Sequence, residues 1–183
     1  KFRLGWNVSV DDVGFERDEY DELNPLYVIW EEPDGSHGGS MRFLPTTGRT
    51  MVNEHFINIL SGQITSPFIW ECTRFCLNRG AGRHVAAALM LGGGEVTQNF
   101  NVEHIVGVFD ARMIRIYRII GASPEVLGSA GQGSDQISVG LWHFDDDIAA
   151  QLADRAGVSP LLSRKWFDCS FGSTPLRTSV RTG

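Results

Sequence analysis

Residues 69–77, Ile-Trp-Glu-Cys-Thr-Arg-Phe-Cys-Leu, constrain this chain more than any other stretch. Aromatic and apolar side chains dominate and neither Gly nor Pro interrupts, which is the composition of a buried strand. Yet the centre carries an acid, Glu71, and a base, Arg74. Burying either charge alone is costly, so the fold must bring partners to this strand or employ its charges. Alternation puts Glu71, Thr73 and Phe75 on one face and Trp70, Cys72, Arg74 and Cys76 on the other, so Glu71 and Arg74 meet only if a bulge intervenes.

The flanking sequence supplies a mixed set of elements. Residues 26–32 are β-branched and aromatic, Pro33-Asp34-Gly35 is turn chemistry, and residues 38–44 return as a partner strand with Ser40, Arg42 and Leu44 on one face and Met41 and Phe43 on the other. Residues 51–60 have helical spacing, and residues 84–100 form a second helix that Gly92-Gly93-Gly94 is expected to break. A short β-branched run at 104–109 precedes an amphipathic helix whose Arg112, Arg115 and Arg118 lie near one face and which Gly121 ends. A strand and Gly-rich loop, a strand at 137–144 and two helices capped by Asp145 and Ser159 complete the chain. Residues 1–25 are polar and acidic and read as loop. Strands interleaved with helices around a leading hairpin predict an α/β mixed-sheet sandwich of three layers.

The chain has 183 residues, enough for one domain spanning 1–183. A formal net charge of −6 argues against a general nucleic-acid binder. Cys72, Cys76 and Cys169 cannot all pair and none has metal-type spacing, which predicts a reduced, cytoplasmic setting and no metal site. No apolar run approaches the ~20 residues that span a bilayer.

Trp70-Glu71-Cys72-Thr73-Arg74-Phe75 stands after Arg3-Leu4-Gly5-Trp6, Glu16-x-Asp18-x-x-Asp21 and Arg42-Phe43-Leu44-Pro45-Thr46-Thr47-Gly48. Together, in this order and spacing, the four motifs resemble the acyl-homoserine-lactone synthases, the LuxI-type autoinducer synthases of quorum sensing, over nearly the whole chain. The resemblance implies an N-acetyltransferase-like fold with a cleft between central strands. It also implies an N-terminal segment before Arg3 that is missing here, since the chain opens on Lys1 and the family carries site residues there.

The activity implied is acyl transfer from acyl carrier protein or acyl-coenzyme A to the amine of S-adenosylmethionine, followed by lactone closure and release of methylthioadenosine. S-adenosylmethionine is then a substrate, and no cofactor is needed. Such chemistry needs a proton acceptor, an oriented amine and a dry acyl slot. Glu71, Thr73 and Arg74 are the catalytic candidates, Glu71 taking a proton directly or through one water. Trp6, Asp18, Asp21, Arg42, Arg74 and Phe75 are candidates for holding S-adenosylmethionine, with the two arginines paired to the two aspartates. Met51, Phe56, His104 and Trp142 are candidates for the acyl pocket, His104 because the resemblance sets it near the third acyl carbon. Arg112, Arg115 and Arg118 are candidates for docking an acidic carrier protein. Each group has a plain structural alternative: an ion network, core packing, a solvated face.

Two rival functions share this architecture. An acetyl-coenzyme-A-dependent N-acetyltransferase would want a pyrophosphate loop, which residues 77–82 supply poorly: Leu77 stands where such enzymes favour Arg or Gln. A non-catalytic small-molecule sensor would bind substrate without turnover.

Overall fold

The computed structural model describes residues 9–172, so the expectation for Trp6 and its motif lies outside the described residues. Its centre is a six-stranded sheet in the order β1-β2-β3-β4-β6-β5, with β1 Leu26–Glu31, β2 His37–Pro45, β3 Ile69–Leu77, β4 His104–Asp110, β5 Glu125–Ala130 and β6 Ile137–His143. Every neighbouring pair is antiparallel except β3 with β4. That parallel pairing runs only from Ile69 opposite His104 to Cys72 opposite Gly107. Both strands continue beyond it, β3 to Leu77 and β4 to Asp110, without pairing to each other, which opens a cleft in the middle of the sheet.

On one face lie α2 Arg83–Asn99, α3 Ala111–Ile120, α4 Asp146–Ala156 and α5 Pro160–Phe171. Met41 and Phe43 of β2, Leu89 and Met90 of α2, Tyr117 and Ile120 of α3 and Leu152 of α4 share this core. The other face carries a thin layer made by α1 Met51–His55, a 3-10 turn at Ile57–Ile59 and their connector, over Val106 and Val139. The expected three-layer mixed-sheet sandwich with a cleft between central strands is therefore what the chain forms. Among the described residues, no helix is long and apolar enough to cross a membrane.

Local chemistry explains the boundaries. Asp110 caps α3 through the N–H groups of Arg112 and Met113, Asp145 caps α4 through Ile148, and Gly121 and Gly157 end these helices in the left-handed conformation. Two expectations need correction. The helix at 51–60 is α1 only to His55, after which a 3-10 turn begins. The three glycines do not break α2, because their missing side chains are used in packing: a Cβ on Gly92 would meet Val28 Cγ1 at 2.8 Å, and one on Gly94 would meet Phe144 Cδ1 at 3.3 Å. Close approach of sheet and loop to the helix offsets the lost helix propensity.

Candidate active site

The alternation of β3 is interrupted at Arg74, which has φ of +53° in the left-handed region. The pairing of β2 with β3 slips at the same place: Ser40 lies opposite Cys76, but Arg42 lies opposite Thr73. This bulge is the one the sequence required if Arg74 was to join the charges on the other face. It also moves Phe75 and Leu77 to the face that Trp70 and Cys72 occupy, against the α2 side core, so the expectation that Phe75 shares a face with Glu71 is corrected. A non-glycine residue in this conformation costs about 1–2 kcal/mol, and ion pairs hold it there.

Those ion pairs build a cluster over β2 and β3. Arg42, 1% exposed, donates from Nη1 to Asp18 Oδ1 at 2.7 Å and Asp21 Oδ1 at 2.8 Å, from Nη2 to Asp18 Oδ2 at 3.1 Å, and from Nε to Thr73 Oγ1 at 3.0 Å. Arg74 Nη2 lies 2.9 Å from Asp18 Oδ2, 3.3 Å from Asp21 Oδ2 and 3.6 Å from Glu16 Oε1. The acidic stretch can do this because it is ordered. Asp18 and Asp21 form a reciprocal capping box on a 3-10 turn, Glu19–Leu23, and the Tyr27 hydroxyl donates to Asp21. Tyr20 pins the turn from behind: the guanidinium groups of Arg42 and Arg49 each sit 5.6 Å from its ring centroid, and its hydroxyl donates to Glu54 at 2.8 Å.

The charges titrate accordingly. Burial works against ionising Asp18 and Asp21, but hydrogen bonds outweigh it, from Arg42 and Arg74 on Asp18 and from Tyr27, the Asp18 N–H and Arg42 on Asp21. Asp18 falls below the usual carboxylate range and Asp21 falls to about 2. Glu71 behaves oppositely. It is 1% exposed, and burial raises its pKa although Val52 N–H donates to Oε1 at 2.6 Å and Met51 N–H to Oε2 at 3.0 Å. Glu71 thus serves the first turn of α1 as an acceptor that Thr50, in the capping position, does not provide.

A cavity of about 900 Å³ passes through the sheet where β3 and β4 part. At one end its wall includes Glu16, Asp18, Arg42, Thr73 and Arg74; Met51 and Phe56 flank it. Through the cleft it becomes an apolar chamber bounded by Met41, Phe43, Phe75, Met90, Phe109, Tyr117, Trp142 and Phe144, where the bare backbone of Gly93 leaves room. Arg112, Asp110, Ser134 and Asp135 border another part of its wall.

Of the candidates, the structure brings Asp18, Arg42, Met51, Phe56, Thr73, Arg74, Phe75, Arg112 and Trp142 to this cavity. Asp21 stands behind, holding both arginines. Glu71 is also behind the wall, on the same face as Thr73 and bonded to the α1 N–H groups of Met51 and Val52. His104 is not in the wall, contrary to its placement in the acyl pocket. It opens β4 beside His143, ring centroids 5.4 Å apart, and the strands part only after Gly107, three residues further on. Arg112 is tied to Asp110, while Arg115 and Arg118 are exposed along α3. Sequence reasoning missed Glu16, Gly93 and Tyr117. The glycine run signalled Gly93, and a tyrosine on the apolar side of an Arg-rich helix signalled Tyr117.

Cys72 also meets the cavity, but burial pushes its thiol up to about 12, so it stays protonated and is a poor nucleophile.

Comparison with known proteins identifies the family. The family profile described as Autoinducer synthase matches residues 1–152. An acyl-homoserine-lactone synthase of Rhizobium etli is 41% identical over 88% of this chain and 79% of its own length. Among solved structures, TofI in a ternary complex with an inhibitor and MTA superimposes with a TM-score of 0.69 at 25% identity, covering 88% of this chain and 84% of TofI. BjaI, a CoA-dependent acyl-homoserine lactone synthase solved with SAM and isopentyl-CoA, shares the fold with a TM-score of 0.71 at 22% identity, over 81% and 72% of the two chains. A structure from Lactobacillus plantarum assigned as an N-acetyltransferase shares the fold alone, with a TM-score of 0.52 at 15% identity over 78% and 84% of the two chains.

Proposed function

Since the chain belongs to the autoinducer synthase family and is an acyltransferase, we propose that it joins a thioester-borne acyl group to the amine of S-adenosylmethionine and then closes the lactone, releasing methylthioadenosine and a quorum-sensing signal. The observation that carries this reading is the continuity of one cavity from a charged end to an apolar chamber. One end suits an amino-acid-like cation: three carboxylates, Glu16, Asp18 and Asp21, face two guanidinium groups, Arg42 and Arg74, leaving one negative charge over. The other end suits an acyl chain. TofI is solved with MTA, the expected product, and BjaI with SAM and isopentyl-CoA, which supports a site that takes S-adenosylmethionine beside a thioester donor.

In this mechanism Arg42 and Arg74, fixed by Asp18 and Asp21, set the position of the amino-acid end of S-adenosylmethionine. Glu71 takes the ammonium proton through one water, and Thr73, whose Oγ accepts from Arg42, keeps its hydroxyl proton free to orient that water. The free amine attacks the thioester carbonyl, and the thiol of the donor leaves. The donor reaches the site in the cytoplasm, where such thioesters are made.

Mass spectrometry of a reaction with S-adenosylmethionine and a panel of acyl-carrier-protein and acyl-coenzyme-A donors tests the reading. An acyl-homoserine lactone formed together with methylthioadenosine is the expected result. Acetylated amines would install the N-acetyltransferase alternative, and substrate binding without product would install the sensor.

The exposed face of Arg112, Arg115 and Arg118 next to the cavity wall is the proposed landing surface for acyl carrier protein, an acidic partner. Changing all three to Glu is expected to raise KM for a carrier-protein donor about 10-fold, in a salt-dependent way, and to leave an acyl-coenzyme-A donor with less than half that effect. Equal changes for both donors would return this face to ordinary surface.

A further inference from the structure

A second, smaller cavity of about 200 Å³ lies between the edge strand β1, α2 and α5 and shares no residue with the cavity described above. The partition is α2: Gly92, Glu95 and Val96 line the small cavity, whereas Met90 and Gly93 line the chamber. The outer wall is aromatic. Trp30 of β1 and Trp166 of α5 meet at 6.1 Å between centroids with their planes 79° apart, and Phe167 and Phe171 pack at 4.6 Å. Trp166 and Phe171 are nearly half exposed, so the cavity opens to solvent along α5. One of these rings already attracts a cation, since the Arg164 guanidinium lies 6.0 Å from the Phe167 centroid. Arg164 is itself engaged by Asp168 at 3.5 Å.

Two polar groups stand in this apolar wall without matching partners. The Glu95 carboxylate is part-buried and accepts from the Asn99 amide at 3.4 Å, and among the described residues no Lys, Arg or His pairs with it. Ser163 of α5 is 5% exposed, and its hydroxyl has no hydrogen-bond partner among the described residues. A carboxylate set in apolar surroundings calls for a cation. An inorganic ion would give up its hydration for one carboxylate, whereas an alkylated ammonium also covers the aromatic faces and interacts with their π electrons. The volume suits a small ligand, since a cavity of ~150 Å³ takes a benzene-sized molecule. We propose that this cavity is a second binding site, for a small quaternary or alkylated ammonium that carries a hydroxyl, the class of choline. The cationic head rests against Trp30, Trp166 and Glu95, and the hydroxyl pairs with Ser163. The site stands independently of the synthase reading.

Isothermal titration of the full chain with choline chloride, against a sodium chloride blank, tests the site. Wild-type protein is expected to bind choline with a Kd of roughly 1 mM or tighter. The neutral analogue of choline in which carbon replaces nitrogen has the same shape and should bind at least about 10-fold more weakly. Tetramethylammonium, which lacks the hydroxyl, should bind about 3-fold more weakly than choline. Glu95→Gln and Trp166→Ala should each lose about 10-fold in choline affinity. Choline against its neutral analogue on wild-type protein remains decisive where a variant fails to fold. Absence of binding at about 20 mM choline, or equal affinity for choline and the neutral analogue, would overturn the proposal. So would an affinity unchanged in both variants, in which case displacement by S-adenosylmethionine would put the cation at the charged end of the larger cavity.

Discussion

Arg42→Met is expected to lower kcat/KM by 10³-fold or more and to destabilise the fold by about 3 kcal/mol, because removing one partner of a buried ion pair leaves the other charges uncompensated. Met keeps much of the volume and no hydrogen bond, so the loss reports the guanidinium rather than a cavity. Among the described residues, Arg42 is the side chain of β2 that binds Asp18, Asp21 and Thr73 Oγ1, and without it Arg74 is the one described guanidinium left in contact with both aspartates. Denaturant titration reads the stability and steady-state turnover reads the site. A pH series separates the ion pairs from packing. Asp18 and Asp21 have folded pKa values below their unfolded values, so the stability they contribute is present above the ordinary carboxylate pKa near 3.8 and is lost as pH falls toward about 2. In Arg42→Met that acid limb should flatten. Arg42→Lys restores the charge without the fork that reaches both carboxylates, so it should recover only part of either quantity. Wild-type turnover in Arg42→Met would remove the cluster from the mechanism.

How far the sequence alone leads can be judged at β3. Its strand character and polar centre were legible from the residues, whereas the pairing of Arg42 and Arg74 with Asp18 and Asp21, which the structure contains, was expected only from the resemblance, since composition alone reads the acidic stretch as a solvated loop. The alternation on β2 was legible as well: Met41 and Phe43 do pack against α2 while Arg42 faces away. The slip at Arg74 was visible only as a condition. A left-handed residue inside a strand has no signature when the residue is arginine, since it is held there by ion pairs with a loop some fifty positions earlier in the chain. The glycine run misled for a related reason. Helix propensity is local, whereas the contacts with Val28 and Phe144 that make Gly92 and Gly94 useful come from distant segments. The chamber was read only in part: the resemblance led to the cleft and to Trp142, but most of its wall was not legible, because it is a gap between strands whose pairing stops at Gly107. Residues that face a gap have the same sequence pattern as residues that face a core.

Glu71→Gln is the second large effect, and the geometry changes what it should do. Both carboxylate oxygens accept backbone N–H groups of α1, and an amide can accept at only one of its two positions. Gln therefore turns an NH₂ toward an N–H, which should cost about 1–3 kcal/mol of stability in addition to its effect on turnover. The two effects separate by pH. Burial raises the folded pKa of Glu71 above its ordinary value, so its favourable contribution is fully present below the unfolded carboxylate pKa and declines as pH rises through the folded pKa. The stability gap between wild type and Glu71→Gln should thus be widest in acid and narrow toward neutrality. Turnover should run the other way. If ionised Glu71 receives the substrate proton, wild-type kcat climbs as pH passes the raised pKa, and Glu71→Gln loses about 10²-fold or more together with that limb. A variant that is less stable yet keeps both the rate and the limb would leave Glu71 as the acceptor that completes α1, and the proton would then have to leave through Asp18 or Glu16, the carboxylates at the charged end of the cavity.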